Sequence, residues 1–249
     1  MDTEDRTTEA AREPAGARGA RADLASLRGG LVVSCQARGG NPLRGPTFMA
    51  AMARAAVMGG AAGIRANGPD DIAAVRRAVD VPIIGILKVT MPDGSLFITP
   101  SPETVRAVIA AGSRLVALDG TGRARAGGAT LRQVIDTVHA ESACALADIS
   151  TEDEGLHAAD CGADAVGTTL SGYTPYSRRQ AEPDLVLVER LASRLDIPVF
   201  AEGRIATPGQ VRQAFEAGAA FVVVGTAITD IVAVTRAFVR GVGPGRAEA

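Results

Sequence analysis

Asp80-Val81-Pro82-Ile83-Ile84-Gly85-Ile86-Leu87-Lys88 is the stretch on which the reading of this chain turns. It is short, apolar and β-branched, opens with Pro82 and ends on a charge, as a strand buried on both faces does. The pattern returns at Asp196-Ile197-Pro198-Val199-Phe200-Ala201-Glu202. Strands covered on both faces belong to parallel sheets, whose crossovers are helices. Working outward from Lys88, apolar runs alternate with helical periodicity, and strands are read at 31–36, 62–65, 81–88, 114–119, 144–148, 165–169, 197–202 and 221–225. Four helices end alike, at Met58-Gly59-Gly60-Ala61, Ala111-Gly112-Ser113, Cys161-Gly162-Ala163 and Ala217-Gly218-Ala219. A glycine there supplies the positive φ that closes a helix and leaves a short link to the next strand. Eight strand–helix units in 249 residues predict an α/β fold, a single (β/α)8 TIM barrel over residues 22–243. An open doubly wound sheet is the lesser alternative, because no GxGxxG follows the first strand. Residues 1–21 are expected to be a disordered N-terminal extension and 244–249 a C-terminal tail. Asp70 or Asp71 is expected to cap the helix after the second strand.

The composition excludes several functions. Net charge is −2 with no basic block, and aromatics are 3% with no Trp, so neither a nucleic-acid surface nor a base-stacking platform is expected. No apolar run is long enough for a membrane span. Three cysteines (Cys35, Cys144, Cys161) form no CxxC pair, and the N-terminus has no apolar signal core, which predicts a cytoplasmic protein. The expected partner is a small molecule. The assembly state is open, with a homodimer as the candidate.

In a (β/α)8 barrel the active site lies at the carboxyl ends of the strands. Those ends carry Gln36, Arg65, Lys88, Asp119, Asp148, Thr168 with Thr169, Glu202 and Gly225. Any one of them can be a solvated strand end; barrel geometry brings the set to one mouth. Lys88 is the only lysine, the other 25 of the 26 Lys and Arg residues being arginine. Only a lysine amine can drop its pKa far enough to act as a base or Schiff-base nucleophile. Both histidines, His139 and His157, fall in helices, so no triad or His-based zinc site is expected. The acid/base candidates are Lys88, Glu202, Asp148 and Asp119. Gly203-Arg204 and Gly225-Thr226 fit the usual phosphate position of such barrels. The loop from Leu170 to Pro183 carries Ser171, Tyr173, Thr174, Tyr176 and Ser177, and reads either as a sugar-contacting lid or as a solvated linker.

Several segments together resemble the N-acetylmannosamine-6-phosphate 2-epimerases. They are Ser34-Cys35-Gln36, Gly63-Ile64-Arg65-Ala66-Asn67-Gly68, Ile84-Gly85-Ile86-Leu87-Lys88 and Ala117-Leu118-Asp119-Gly120-Thr121 with Arg123 and Arg125. Ala147-Asp148-Ile149-Ser150-Thr151, Thr168-Thr169-Leu170-Ser171-Gly172-Tyr173-Thr174, Ala201-Glu202-Gly203-Arg204-Ile205 and Val224-Gly225-Thr226-Ala227-Ile228-Thr229 complete the set. The resemblance implies a (β/α)8 isomerase that interconverts N-acetylmannosamine 6-phosphate and N-acetylglucosamine 6-phosphate in sialic acid catabolism. It implies a catalytic role for Lys88 with Glu202 as acidic partner. Gln36, Arg65 and Asp148, with Thr169, Ser171 and Tyr173, become substrate contacts; Gly203, Arg204, Gly225 and Thr226 become the phosphate site. It implies neither metal nor organic cofactor. Three positions depart from the family pattern: Val89-Thr90 where Arg-Asp is usual, Ala126 where Pro is usual, and Asp230 where an Arg near the phosphate is usual. Two other functions stand beside this one, a Schiff-base aldolase using Lys88 and a sugar-phosphate-binding protein that has lost catalysis.

Overall fold

In the computed structural model, which describes residues 14–242, the glycines expected to close helices do so. Gly60, Gly112, Gly162 and Gly218 have φ of 94°, 104°, 94° and 95°, a region that L side chains rarely adopt. Helix starts are equally local: Ser101, Thr130, Thr151 and Thr207 each form a capping box with the residue three positions on, an arrangement that satisfies two orphan N–H groups reciprocally.

Helix α1 (Ala15–Ser26) leads into β1 (Leu31–Cys35), followed by α2 (Pro46–Met58), β2 (Gly63–Asn67), α3 (Pro69–Ala78) and β3 (Ile83–Ile86). A hairpin of β4 (Lys88–Thr90) and β5 (Leu96–Ile98) comes next, then α4 (Pro102–Ala110) and β6 (Leu115–Asp119). The chain continues through α5 (Leu131–Ala140), β7 (Cys144–Asp148), α6 (Glu152–Asp160), β8 (Ala165–Gly167), α7 (Leu185–Ala192), β9 (Val199–Glu202), α8 (Pro208–Glu216) and β10 (Phe221–Val224), and ends in α9 (Thr226–Thr229) and α10 (Ile231–Arg240). Eight strands close as β1-β10-β9-β8-β7-β6-β3-β2, with β4 and β5 a separate antiparallel pair. The eight-stranded barrel read from the sequence is therefore the fold. No helix among the described residues is long and apolar enough to cross a membrane.

Alternation along the strands divides the core in two. Val32, Ile84, Ile86, Leu115, Leu146, Phe200 and Phe221 fill the barrel, while Val33, Ile64, Val116, Val166 and Val222 face the surrounding helices. Phe200 and Phe221 stack at 4.9 Å, and Gly167 makes room, since a Cβ there would lie 2.0 Å from the Phe200 ring.

Three expectations are corrected. The extension placed at 1–21 lies outside the described residues only to residue 13; from Ala15 the chain is helical, because Ala20, Leu24 and Leu27 join the inner core. Gly68, not Asp70 or Asp71, is the N-cap of α3, with Pro69 at its first position. The strand read as ending on Lys88 stops at Ile86. Thr99 accepts the Leu87 N–H on its hydroxyl (3.0 Å) and returns its own N–H to the Leu87 carbonyl (2.8 Å), turning the chain so that Lys88 opens the hairpin. The tail placed at 244–249 lies outside the described residues.

Candidate active site

The carboxyl ends of the strands and the hairpin surround a wide cavity of about 2460 Å³. At its base lies Arg65, on β2 and only 1% exposed. A buried guanidinium is tolerable only when paired, and Arg65 is paired twice. Its two terminal nitrogens donate to Asp148 at 2.5 and 3.2 Å, and one of them also donates to Glu202 Oε2 at 2.6 Å. Burial opposes its charge, but Asp148 and Glu202 outweigh that and raise its pKa, so Arg65 stays a cation. Its Nε is buried without a hydrogen-bond partner. Thr169 links the carboxylates: its hydroxyl is 2.5 Å from Asp148 Oδ1 and 3.2 Å from Glu202 Oε2. The single hydroxyl proton goes to the nearer oxygen, which leaves Thr169 able to accept from a protonated Glu202.

Glu202 ends β9 with its side chain 14% exposed. Burial, then the like charge of Asp148, push its pKa up to about 7 against the pull of Arg65 and Lys88. A carboxyl group with that value holds and releases a proton near neutrality.

Lys88 is exposed at the cavity, and its Nζ donates to Gln36 Oε1 at 2.6 Å. Gln36 is oriented by a bond from its Nε2 to Ser34 Oγ at 2.7 Å. An amine and an ammonium can both make the Lys88–Gln36 bond, so it aims the nitrogen without fixing its charge, and the lone pair of the neutral form stays free. Lys88 opens onto the cavity, yet the surrounding walls crowd it enough to cost it hydration; that loss, and then the charge of Arg65, lower its pKa, while Glu202 and Asp148 oppose the change. The net effect is a weaker base that gives up its proton more readily.

The structure brings Lys88, Gln36, Arg65, Thr169 and Glu202 together around one cavity, with Tyr173, Gly203, Arg204, Gly225 and Thr226 on its wall. It does not bring Asp148 or Ser171 to the cavity surface. Asp148 is fully buried behind Arg65 and Thr169. Ser171, 1% exposed, donates to Asp184 Oδ2 at 2.6 Å, and Asp184 caps α7. Asp119 is fully buried too, bound to Thr121 and to Arg123 at 2.5 Å. Arg204 already spends N–H groups on the carbonyls of Glu182 (2.9 Å) and Ser171 (2.7 Å), and its guanidinium lies over the Tyr173 ring at 5.3 Å. Asp230 turns onto its own helix, accepting the Ala233 N–H at 3.1 Å as the N-cap of α10. Its charge is thereby matched to a helix N-terminus.

Two contacts escape the sequence reading. Asn67 Oδ1 accepts the Lys88 backbone N–H at 2.9 Å, fixing where the lysine leaves the barrel. Asn67 is a strand end, hidden by closing β2 two residues early. Arg123 lies over the Phe97 ring of β5 at 4.1 Å, and nothing local in the sequence marks that pair.

A family model described as "Putative N-acetylmannosamine-6-phosphate epimerase" matches residues 49–244. A protein of Clostridioides difficile (strain 630), named "Putative N-acetylmannosamine-6-phosphate 2-epimerase", is 42% identical over 219 residues, covering 88% of this chain and 98% of that one. A protein of the same name from Cutibacterium acnes is 48% identical over 215 residues, covering 85% and 93%. The solved structure of the N-acetylmannosamine-6-phosphate 2-epimerase from Clostridium perfringens superposes with a TM-score of 0.85 at 42% identity, covering 87% of this chain and 95% of that one. A thiamine phosphate pyrophosphorylase from Pyrococcus furiosus, at 18% identity and a TM-score of 0.55, shares the fold alone.

Proposed function

The chain belongs to the N-acetylmannosamine-6-phosphate epimerase family, and from that premise we propose that it interconverts N-acetylmannosamine 6-phosphate and N-acetylglucosamine 6-phosphate, an isomerase of sialic acid and amino-sugar catabolism. The observation that carries this reading is the pairing at one mouth of an amine with a lowered pKa, Lys88, and a carboxyl group with a raised one, Glu202, with the buried cation Arg65 beside them.

Inversion at C2 of the ring-opened sugar removes a proton next to the carbonyl and returns one to the opposite face. Neutral Lys88 takes the C2 proton; electrons move onto the carbonyl oxygen as an enolate; protonated Glu202 delivers a proton to the other face. The reverse reaction uses the same groups in exchanged roles, as microscopic reversibility requires. The positive charge of Arg65, itself buried at the base of the cavity, stabilises the developing oxyanion. Gln36 aims Lys88, and Asp148 holds Arg65 rather than touching the sugar. The phosphate is assigned to the N–H groups of Gly203, Gly225 and Thr226 with the unspent donors of Arg204. Tyr173 forms a wall for the sugar.

Incubation of N-acetylmannosamine 6-phosphate with the protein in D2O tests this directly. Deuterium should appear at C2 by NMR together with the second epimer. Borohydride inactivation in the presence of substrate, with a mass increase at Lys88, would instead mark a Schiff-base enzyme. Binding without exchange would mark a protein that has lost catalysis.

The same reading puts the enzyme in the cytoplasm, consistent with three buried cysteines that form no disulfide among the described residues. For its assembly we propose a homodimer. Helix α10 has no buried residue and exposes Ile231, Phe238 and Val239, with Val242 just beyond it. Apolar surface of that kind marks an interaction site.

A further inference from the structure

Outside the cavity, the structure concentrates hydrogen bonds on one carboxylate. Glu154, on the first turn of α6 and 8% exposed, accepts at both oxygens. Oε1 takes the Gly122 N–H at 2.8 Å and the Tyr176 hydroxyl at 2.6 Å. Oε2 takes the Ser150 N–H at 2.8 Å, the Ser150 hydroxyl at 2.7 Å and the Thr151 N–H at 3.2 Å. None of the five donors is a charged group. Capping α6 requires only the Thr151 bond. The other four come from the loops that follow β6, β7 and β8.

Each tie leads to the cavity wall. Gly122 precedes Arg123, which lines the cavity and covers Phe97 on the hairpin whose first residue is Lys88. Ser150 takes a second bond, from Thr174 Oγ1 at 3.0 Å, and Tyr176 lies two residues further on. Between them, these two hold the turn that presents Tyr173 to the cavity and to the face of Arg204. Glu154 itself does not reach the cavity.

We propose that Glu154 is a positioning residue for substrate binding: by tying the loops after β6, β7 and β8 together, it sets the spacing between the Arg123 wall and the Tyr173–Arg204 wall. The loop from 170 to 177 is therefore a fixed wall and not a mobile lid. The identity of the ligand rests on the proposed function; the tie between the loops does not. Burial opposes the negative charge of Glu154, but the bonds from Tyr176, Ser150 and Gly122 outweigh it and keep its pKa below the usual carboxylate value, so the ties hold throughout the neutral range.

Tyr176→Phe tests the proposal with little risk to folding, because the side chain is 54% exposed and only its hydroxyl is lost. KM for N-acetylmannosamine 6-phosphate should rise about three- to tenfold with kcat within about twofold, the split expected when ground-state and transition-state contacts are lost alike. Amide hydrogen exchange at Gly122 and at residues 172–174 should quicken, with α6 unchanged. Glu154→Gln, which sets an NH2 group among five donors, should do the same more strongly. An unchanged KM, or a fall in kcat alone, overturns the proposal, as does exchange that stays at the wild-type rate. A wild type that turns over no amino-sugar phosphate defeats the assigned reaction instead, and calorimetric Kd for the same sugar phosphate then replaces KM, with the exchange result deciding on the loops.

Discussion

Glu202→Gln should make the protein more stable at pH 8. Glu202 is nearly buried, and the one cation it is ion-paired with, Arg65, is shared with fully buried Asp148. The two anions compete for that cation, and the pKa of Glu202 rises from 4.5 to about 7. A raised acid pKa means that the folded state binds the proton more tightly than the unfolded chain. Ionising Glu202 therefore costs stability; the cost is absent below pH 4.5, grows between 4.5 and 7, and is full above 7. At ~1.36 kcal/mol per pKa unit, the full cost is roughly 3 kcal/mol. Glutamine resembles the neutral acid in shape, still accepts from Arg65 and carries no charge, so it escapes this cost. Thermal denaturation from pH 5 to pH 8 should show the variant melting about 6–12 °C above wild type at pH 8, taking ~2–4 °C per kcal/mol for a domain of this size. The gap should close toward pH 5. A variant less stable than wild type at pH 8 would refute the raised pKa, and a gap that ignores pH would assign the effect to packing.

Two further substitutions separate the roles of the remaining groups. Lys88→Arg keeps the positive charge but replaces the only lysine with a group that stays protonated; kcat should fall by roughly a thousandfold with circular dichroism unchanged, and activity within a few-fold of wild type would exclude Lys88 as the base. In Asp148→Asn, a negative charge that raises both Glu202 and Lys88 is gone, so both limbs of the pH profile of kcat/KM should move to lower pH; limbs that stay in place would show that Asp148 acts on neither.

What the sequence could and could not disclose follows from how local each cause is. The barrel was legible because its determinants are local: continuous apolar strands, Ser or Thr caps, and glycines at positive φ. Arg65, Lys88 and Glu202 were legible because a charge that closes an apolar run adds nothing to the packing of the barrel and must find its use at the mouth. The direction a polar strand end faces was not. Asp148 and Ser171 occupy expected positions, yet they turn behind the cavity to hold Arg65 and the cap of α7. The hairpin leaves little trace because its arms are three residues long and its base is closed by Thr99 at φ 44°, unusual for a residue other than glycine. Composition alone makes α1 look disordered, and tertiary burial of Ala20, Leu24 and Leu27 reverses that. Glu154 had a visible signal in Thr151-x-x-Glu154, but that pattern announces a helix cap, and the bonds from Gly122 and Tyr176 arrive across 32 and 22 residues.

The charges at the mouth also constrain how the enzyme resets. Arg65 and Asp148 form one neutral pair, which leaves Lys88 and Glu202 to hold a single proton between them. Neutral lysine with protonated glutamate, and ammonium with carboxylate, carry the same total charge, so the field of the surrounding barrel changes little between them. One turnover in the forward direction converts the first arrangement into the second: Lys88 has gained the C2 proton and Glu202 has lost its own. A proton must then return from Lys88 to Glu202 before the next forward turnover. The two groups differ in access to water, for Lys88 is exposed and Glu202 nearly buried. Lys88 can release its proton to solvent, while Glu202 recovers one through the cavity. The epimer formed in D2O should therefore carry solvent deuterium at C2 even in the first turnover, since the delivered proton is never the one just removed. Full transfer of the original C2 hydrogen into the product would mean that one group serves both faces, and it would take Glu202 out of the proton path.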